Sequence, residues 1–147
     1  MNLAYVAGLF DGEGCVNFTK CRTIKIPRVC ITNTNLEVLE SLQKSFGGFI
    51  QQGSRPQNNW KQSYHWTISN SKACEFLTKI YAWVRIKKEQ IWLVWAWDAI
   101  RPGYGRIWDK DMVEALDLIN EQSKWLNWKG IDRPAVSPIE KCLQEFK

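Results

Sequence analysis

Leu3-Ala4-Tyr5-Val6-Ala7-Gly8-Leu9-Phe10-Asp11-Gly12-Glu13-Gly14 decides the reading of this chain. An apolar segment carrying the small residues Ala4, Ala7 and Gly8 ends in four residues that alternate carboxylate and glycine. The first part suits a helix that another backbone must approach closely. The second sets Asp11 and Glu13 at the C-terminal end of that helix, amid unobstructed backbone. A carboxylate there opposes the helix dipole, which argues for a task beyond solvation.

At 147 residues the chain is most simply one domain with a real core. Its hydrophobic fraction of 45% and nine Trp exclude a disordered chain. Lys plus Arg exceed Asp plus Glu by 20 to 15, and the excess is localised. Lys20, Arg22, Lys25 and Arg28 lie in an acid-free stretch from Cys15 to Leu36, and Lys44, Arg55, Lys61 and Lys72 in another from Ser41 to Cys74. A surface stripped of acids favours a polyanion such as nucleic acid. Five cysteines without a CxxC pair, beside a single histidine, argue against a zinc site and a disulfide framework. They read as reduced thiols in a reducing compartment: the cytoplasm of a bacterium or phage host, or an organelle matrix. The motif begins at Leu3, which leaves no room for a signal peptide. The strongest apolar run, Ile91 to Ile100, is too short to cross a bilayer and contains Asp98, so no membrane association is expected.

Alternation sets Val16 and Phe18 against Cys15, Asn17 and Thr19 in a strand from Cys15 to Thr23. A second strand, Pro27 to Asn33, puts Val29 and Ile31 opposite Arg28, Cys30 and Thr32. Thr34-Asn35-Leu36-Glu37 has the pattern of a capping box, and Leu36, Leu39, Leu42 and Phe46 follow at helical spacing until Gly47-Gly48. A second hairpin joins Phe49–Gly53 to Ser63–Ser69 through a polar loop containing Arg55, Pro56 and Asn59. In its last strand Tyr64, Trp66 and Ile68 share one face, and Ser63, His65 and Thr67 the other. Helices are predicted from about Lys72 to Val84, Lys88 to Ile100 and Asp109 to Lys129, with Pro102-Gly103-Tyr104-Gly105 as a break. Ile139, Leu143 and Phe146 at helical spacing make the tail a short helix docked on the core. Most tryptophans fall in helical segments and are expected to pack in the core; Trp60, in the acid-free loop, is the exception.

The stretch Val6-Ala7-Gly8-Leu9-Phe10-Asp11-Gly12-Glu13-Gly14 resembles the signature of the LAGLIDADG homing endonucleases, with Glu at position 13 in place of the usual Asp. Tyr64-x-Trp66-x-Ile68, and Phe76-Leu77 leading to Arg85-Ile86-Lys87-Lys88-Glu89-Gln90, resemble recurrent patterns of the same family. The resemblance covers roughly Leu3 to Gly130. It implies an α+β fold of order α-β-β-α-β-β-α-α, whose four-stranded antiparallel saddle lies in the DNA major groove with helices behind. The expected division is an endonuclease domain over 1–130 and a tail over 131–147.

Phosphodiester hydrolysis needs an attacking water, neutralised phosphate charge and help for the leaving oxygen, all of which carboxylate-held divalent ions supply. By resemblance Glu13 is the metal-binding carboxylate, Gly12 contributes its backbone carbonyl, and the ion is Mg²⁺ or another divalent cation. Lys87 corresponds to a lysine that positions water or stabilises the phosphate, and Asn33 to a polar residue of the water network. Asp11 matches a position concerned with helix packing and termination. Asn17, Thr19, Lys20, Arg22, Arg28, Cys30, Gln51, Ser63, His65 and Thr67 are candidates for base edges or phosphates, with Lys20 and Lys61 the candidate phosphate contacts; Arg to guanine and Asn or Gln to adenine are the readable pairs.

A single signature supplies one carboxylate site, whereas cutting both strands needs two. The resemblance therefore implies a homodimer, its signature helices packed through Ala4, Ala7 and Gly8 with Asp11 beside them. The implied activity is an intron-encoded type of site-specific endonuclease, cleaving double-stranded DNA at a long near-palindromic site and leaving 3′ overhangs. Two other readings stay open: an RNA maturase that assists intron splicing, and a DNA-binding protein of this fold with a decayed active site.

Overall fold

The computed structural model describes residues 1–22, 24–54, 57, 59–103 and 106–145. Thr23, Arg55 and Pro56, Tyr104-Gly105 and Phe146, which figured in the sequence reading, lie outside them. The elements run α1 (Leu3–Glu13), β1 (Gly14–Cys21), β2 (Ile24–Asn33), α2 (Leu36–Phe46), β3 (Phe49–Gln52), β4 (Tyr64–Ser69), α3 (Ser71–Ile80), α4 (Lys88–Ile100), α5 (Lys110–Leu126) and α6 (Pro138–Glu145), with a 3₁₀ turn at Tyr81–Trp83. This is the expected α+β order with the tail helix added. Among the described residues no helix is long and apolar enough to cross a membrane.

Local chemistry sets the boundaries. Asn2 opens α1, its side-chain oxygen accepting the Ala4 N–H at 2.8 Å. For α2 the cap is Asn35 rather than the expected Thr34. Asn33 turns the chain by accepting the Asn35 N–H at 2.8 Å, which places Asn35 to accept from Val38 at 3.4 Å. Gly47 and Gly48 end α2 at φ +77° and +84°, the left-handed region that glycine enters without a Cβ penalty. Gly48 is also crowded, since a Cβ there would collide with the Thr67 carbonyl. The helix predicted to reach Val84 stops at Ile80 and tightens into the 3₁₀ turn. Asp109 caps α5 by accepting the Met112 N–H at 2.8 Å.

The four strands form one antiparallel sheet in the order β1-β2-β4-β3. Alternation gives it two unlike faces. Val16, Phe18, Val29, Ile31, Trp66 and Ile68 face the helices and are buried with Phe10, Leu39, Leu42, Phe76, Leu77 and Trp97. Phe76 is the centre of an aromatic cluster, with Phe46 and Trp66 rings edge-on at 5.0 and 5.1 Å. The Trp66 indole donates to the Gly47 carbonyl at 2.8 Å, and the Trp97 indole to the Lys25 carbonyl at 3.0 Å. The core reading of the tryptophans holds fully for these two alone. Trp83, Trp92 and Trp128 are exposed, in the 3₁₀ turn, in α4 and just beyond α5.

β1 is an edge strand, and α5 closes part of that edge. The outward carbonyl of Val16 accepts from Asn127 Nδ2 at 2.7 Å and Ser123 Oγ at 3.4 Å. The tail helix α6 docks on α5, with the Ile139 N–H donating to Gln122 Oε1 at 3.2 Å. Ser137 and Glu140 form a capping box at its start.

Candidate active site

Among the described residues no helix covers the far face of the sheet. Strand register arranges its side chains in rows: Cys15 beside Cys30, Thr67 and Phe49; Asn17 beside Arg28 and Ser69; Thr32 beside His65 and Gln51. Ile26 stands beside Thr19. Most of the nominated strand residues share this face. Arg22 is exposed at the tip of the β1–β2 hairpin with φ +56°, and Lys61 is exposed in the β3–β4 loop.

Two nominations fall elsewhere. Lys20 is one residue out of phase with Thr19, so it turns to the helix side and lines a depression with Ile24, Val113, Leu116 and Asp117. Its strand neighbour Lys25 ion-pairs with Asp117 at 2.8 Å, so an acid from α5 answers a segment that reads as acid-free. Thr67 has the right phase but is only 1% exposed. Its hydroxyl lies 3.5 Å from Arg28 Nη2 and supports the guanidinium from below. Above it, Arg28 Nε and Asn17 Oδ1 are buried and without a hydrogen-bond partner. Such atoms cost about 1–3 kcal/mol each while unpaired. Both atoms are closed to the surface, so a ligand would reach them only if the two side chains moved.

At one end of the open face Glu13, Thr32, Asn33, Thr34 and Ser63 line a shallow depression of about 250 Å³. It brings together Glu13, Asn33 and Ser63, which the sequence nominated separately. Thr32, which was not nominated, joins the depression to His65, its hydroxyl 2.7 Å from Nδ1. Alternation had already placed Thr32 on the open face, and that was the available signal.

The end of α1 is held by a reciprocal clamp. Asp11 accepts the backbone N–H groups of Arg85, Ile86 and Lys87 at 2.7, 3.2 and 3.1 Å, just ahead of α4. Lys87 Nζ returns across the gap to the Phe10 and Asp11 carbonyls at 3.1 and 2.7 Å; the Phe10 carbonyl also accepts the Gly14 N–H, while that of Asp11 lies in the last turn, where a helix leaves carbonyls without an internal partner. Burial lowers the Lys87 pKa from its ordinary 10.5, and the negative charge of Asp11, then Cys15 and Glu13, opposes the shift. Asp11, nominated for a helix interface, is thus engaged within its own chain. Ala7 is likewise fully buried in its own core. The exposed small residues of α1 are Ala4, Gly8 and Gly12.

Glu13 is exposed and makes no hydrogen bond or ion pair of its own among the described residues, though it lies within electrostatic reach of Lys87. Its carboxylate and the carbonyl of exposed Gly12 are oxygen donors, the kind hard divalent cations prefer. No three His, Cys, Asp or Glu side chains cluster as a metal cage among the described residues. The donor set therefore fits an ion such as Mg²⁺, which keeps several waters and takes its remaining ligands from substrate.

The family model described as a LAGLIDADG-like domain matches residues 1–81, more than half of the chain. The chain belongs to the LAGLIDADG family. Solved structures agree on the fold. The archaeal intron-encoded homing endonuclease I-Vdi141I, complexed with DNA, superposes with a TM-score of 0.70 at 19% identity, over 98% of this chain and 95% of that one. The homing endonuclease I-CvuI, in complex with a DNA target, gives 0.69 at 18%, over 97% and 92%. The homing endonuclease I-TnaI gives 0.66 at 20%, over 100% and 99%. Among curated proteins none matches the sequence. The LAGLIDADG signature occupies α1 and its C-terminal end, where Asp11 faces the clamp and Glu13 the depression.

Proposed function

We propose that this LAGLIDADG protein is a homodimeric, divalent-metal-dependent endonuclease that cuts double-stranded DNA at a long near-palindromic site and leaves 3′ overhangs. The observation that carries the reading is Glu13: a free carboxylate at the edge of an uncovered sheet face, sharing one depression with Asn33 and Ser63. The fold neighbours I-Vdi141I and I-CvuI were solved with DNA, the latter in the presence of magnesium and, in another complex, calcium. In the proposed division, 1–130 forms the endonuclease domain and 131–147 an appended tail.

Glu13 and the Gly12 carbonyl would hold the ion, and when bound it neutralises phosphate charge and lowers the pKa of its water. Asn33 and Thr32 border the same depression and would orient water there through their side-chain oxygens. Lys87 supplies positive charge behind Glu13 while fixing the end of α1. Arg28 and Asn17, neighbours in one row of the open face, would meet base edges, and Thr19, Cys30, Gln51, Ser63 and His65 complete the groove face. Arg22 and Lys61 supply phosphate contacts at its rims.

Assembly as a dimer rests on the glycines of α1. A helix-interior glycine costs about 0.5–1 kcal/mol relative to alanine. Yet a Cβ at Gly8 or Gly12 would meet nothing within 4 Å in the monomer. Their use is explained when a second α1 packs against Ala4, Gly8 and Gly12 and brings the two Glu13 sites to the two strands.

The test is cleavage of a plasmid carrying the native insertion site. Double-strand cutting is expected with Mg²⁺ and none with a chelator. Cutting that persists without divalent ions, or a preference for single-stranded RNA over duplex DNA, would overturn the reading.

A further inference from the structure

Cys15 and Cys30 are direct partners in the β1–β2 ladder and share the open face. Cys15 is exposed and Cys30 half-exposed, both as free thiols. The remaining cysteines are placed apart: Cys21 opposite Ile24 at the far end of the hairpin, Cys74 in the core, Cys142 in the tail helix. We propose that Cys15 and Cys30 form a redox site, a dithiol that small-molecule disulfides close reversibly, and that closure suppresses nuclease action; the second half rests on the function proposed above.

Geometry supports closure. Directly opposed residues on one antiparallel face have Cβ atoms about 4.5–5.5 Å apart. A disulfide wants about 3.5–4.5 Å. Because the Val16 carbonyl points away from β2, Cys15–Cys30 is one of the wider, hydrogen-bonded pairs of the ladder, and the two strands must draw together locally by about an ångström or more, a distortion of the kind that makes a disulfide easy to reduce again. The chemistry balances without a metal. One thiol, its proton released to water, attacks a sulfur of a small-molecule disulfide such as glutathione disulfide and expels one small thiol, which takes up a proton. The second protein thiol then gives up its proton and attacks the mixed disulfide, expelling the other. The protein loses two hydrogens, and the small disulfide is reduced to two thiols.

Closure would reach the active site through one residue. Gly14 lies between Cys15 and Glu13; its N–H is bound to the Phe10 carbonyl, and a Cβ there would collide with that residue's ring and carbonyl. With only Gly14 between them, drawing Cys15 toward Cys30 pulls on Glu13 and would shift it relative to Asn33. Closure also distorts the middle row of the groove face, beside Thr67 and Arg28.

The experiment equilibrates the full-length protein in buffers of varied reduced and oxidised glutathione, then blocks free thiols with a maleimide for intact-mass and peptide analysis. Two of the five cysteines should become unreactive together, linked as Cys15–Cys30. Bound duplex DNA should protect them. Cleavage should fall at least tenfold as the link forms and return with dithiothreitol. Cys30→Ala, whatever its own level of activity, should no longer respond to the buffer. Five thiols that stay reactive in fully oxidised buffer, or a lasting glutathione adduct on Cys15, would overturn the dithiol. A linked pair with unaltered cleavage would overturn its control of the nuclease. Mass analysis does not depend on cleavage, so an inactive protein with a linked pair would count against the nuclease reading while sustaining the dithiol.

Discussion

Asp11 and Glu13 are two residues apart in one motif, and the structure gives them unrelated surroundings. Asp11 is half-buried and answers three backbone N–H groups; Glu13 is exposed and answers none. Asp11→Ala should therefore lower the unfolding free energy by about 2–3 kcal/mol in urea titration, since it strands donors that were paired with a charge. Glu13→Gln should keep stability and DNA binding while cleavage falls by orders of magnitude, and wild-type cutting by this variant would exclude Glu13 as the metal ligand. Lys87 adds a pH signature. Its folded-state pKa is lowered, chiefly by burial, from 10.5. At neutral pH the buried charge thus detracts from stability, and the unfolded chain retains the proton to higher pH. Between the lowered pKa and 10.5 the wild type should gain stability relative to Lys87→Met, as read from unfolding at a series of pH values. None of this clamp was legible from the sequence. Its partners are 74 to 77 positions apart, and a run such as Arg85-Ile86-Lys87-Lys88 looks like solvated charge until α1 and α4 are placed end to end.

Strands were the most legible elements, because burial on one face only leaves a period of two that survives any error at the ends. Val16, Phe18, Val29, Ile31, Trp66 and Ile68 were all assigned inward and are. The same rule shows that Thr19 and Lys20 cannot both face DNA, and applying it strictly would have excluded Lys20. Helix α1 was legible as a helix and illegible as to face. It is apolar all round, so no polar stripe distinguishes Ala7, which packs inside, from Ala4 and Gly8, which stay outside. Gly8→Ala separates the two environments. In the monomer the added methyl meets nothing, and helix propensity should raise stability by up to about 1 kcal/mol. Between two closely packed helices the same methyl should weaken self-association, measured by sedimentation at several concentrations with and without target DNA. A wild type that sediments as a monomer under both conditions would rule the dimer out.

At the scale of the molecule, the sheet separates a helical side from a bare side, and Arg28 lies on the bare side with Arg22 and Lys61 in its loops. DNA affinity should fall steeply with salt, with a log–log slope of about 0.9 per phosphate contact. Lys61→Ala and Arg22→Ala should each make the slope shallower and weaken all sequences alike. Lys20→Ala, on the helical side, should leave it unchanged, and an equal effect from all three would refute the assigned geometry. Arg28→Ala should cost about 1–3 kcal/mol at one base position and relax preference there. A bare sheet also carries a hazard, because an uncovered face beside an open edge is a template on which further strands can grow into cross-β fibres. Here Asn127 and Ser123 already occupy the outward carbonyl of Val16, and the opposite edge strand, β3, is only four residues long. These contacts of α5 thus act as gatekeepers, blocking strand addition at the edge of a sheet whose face is left uncovered.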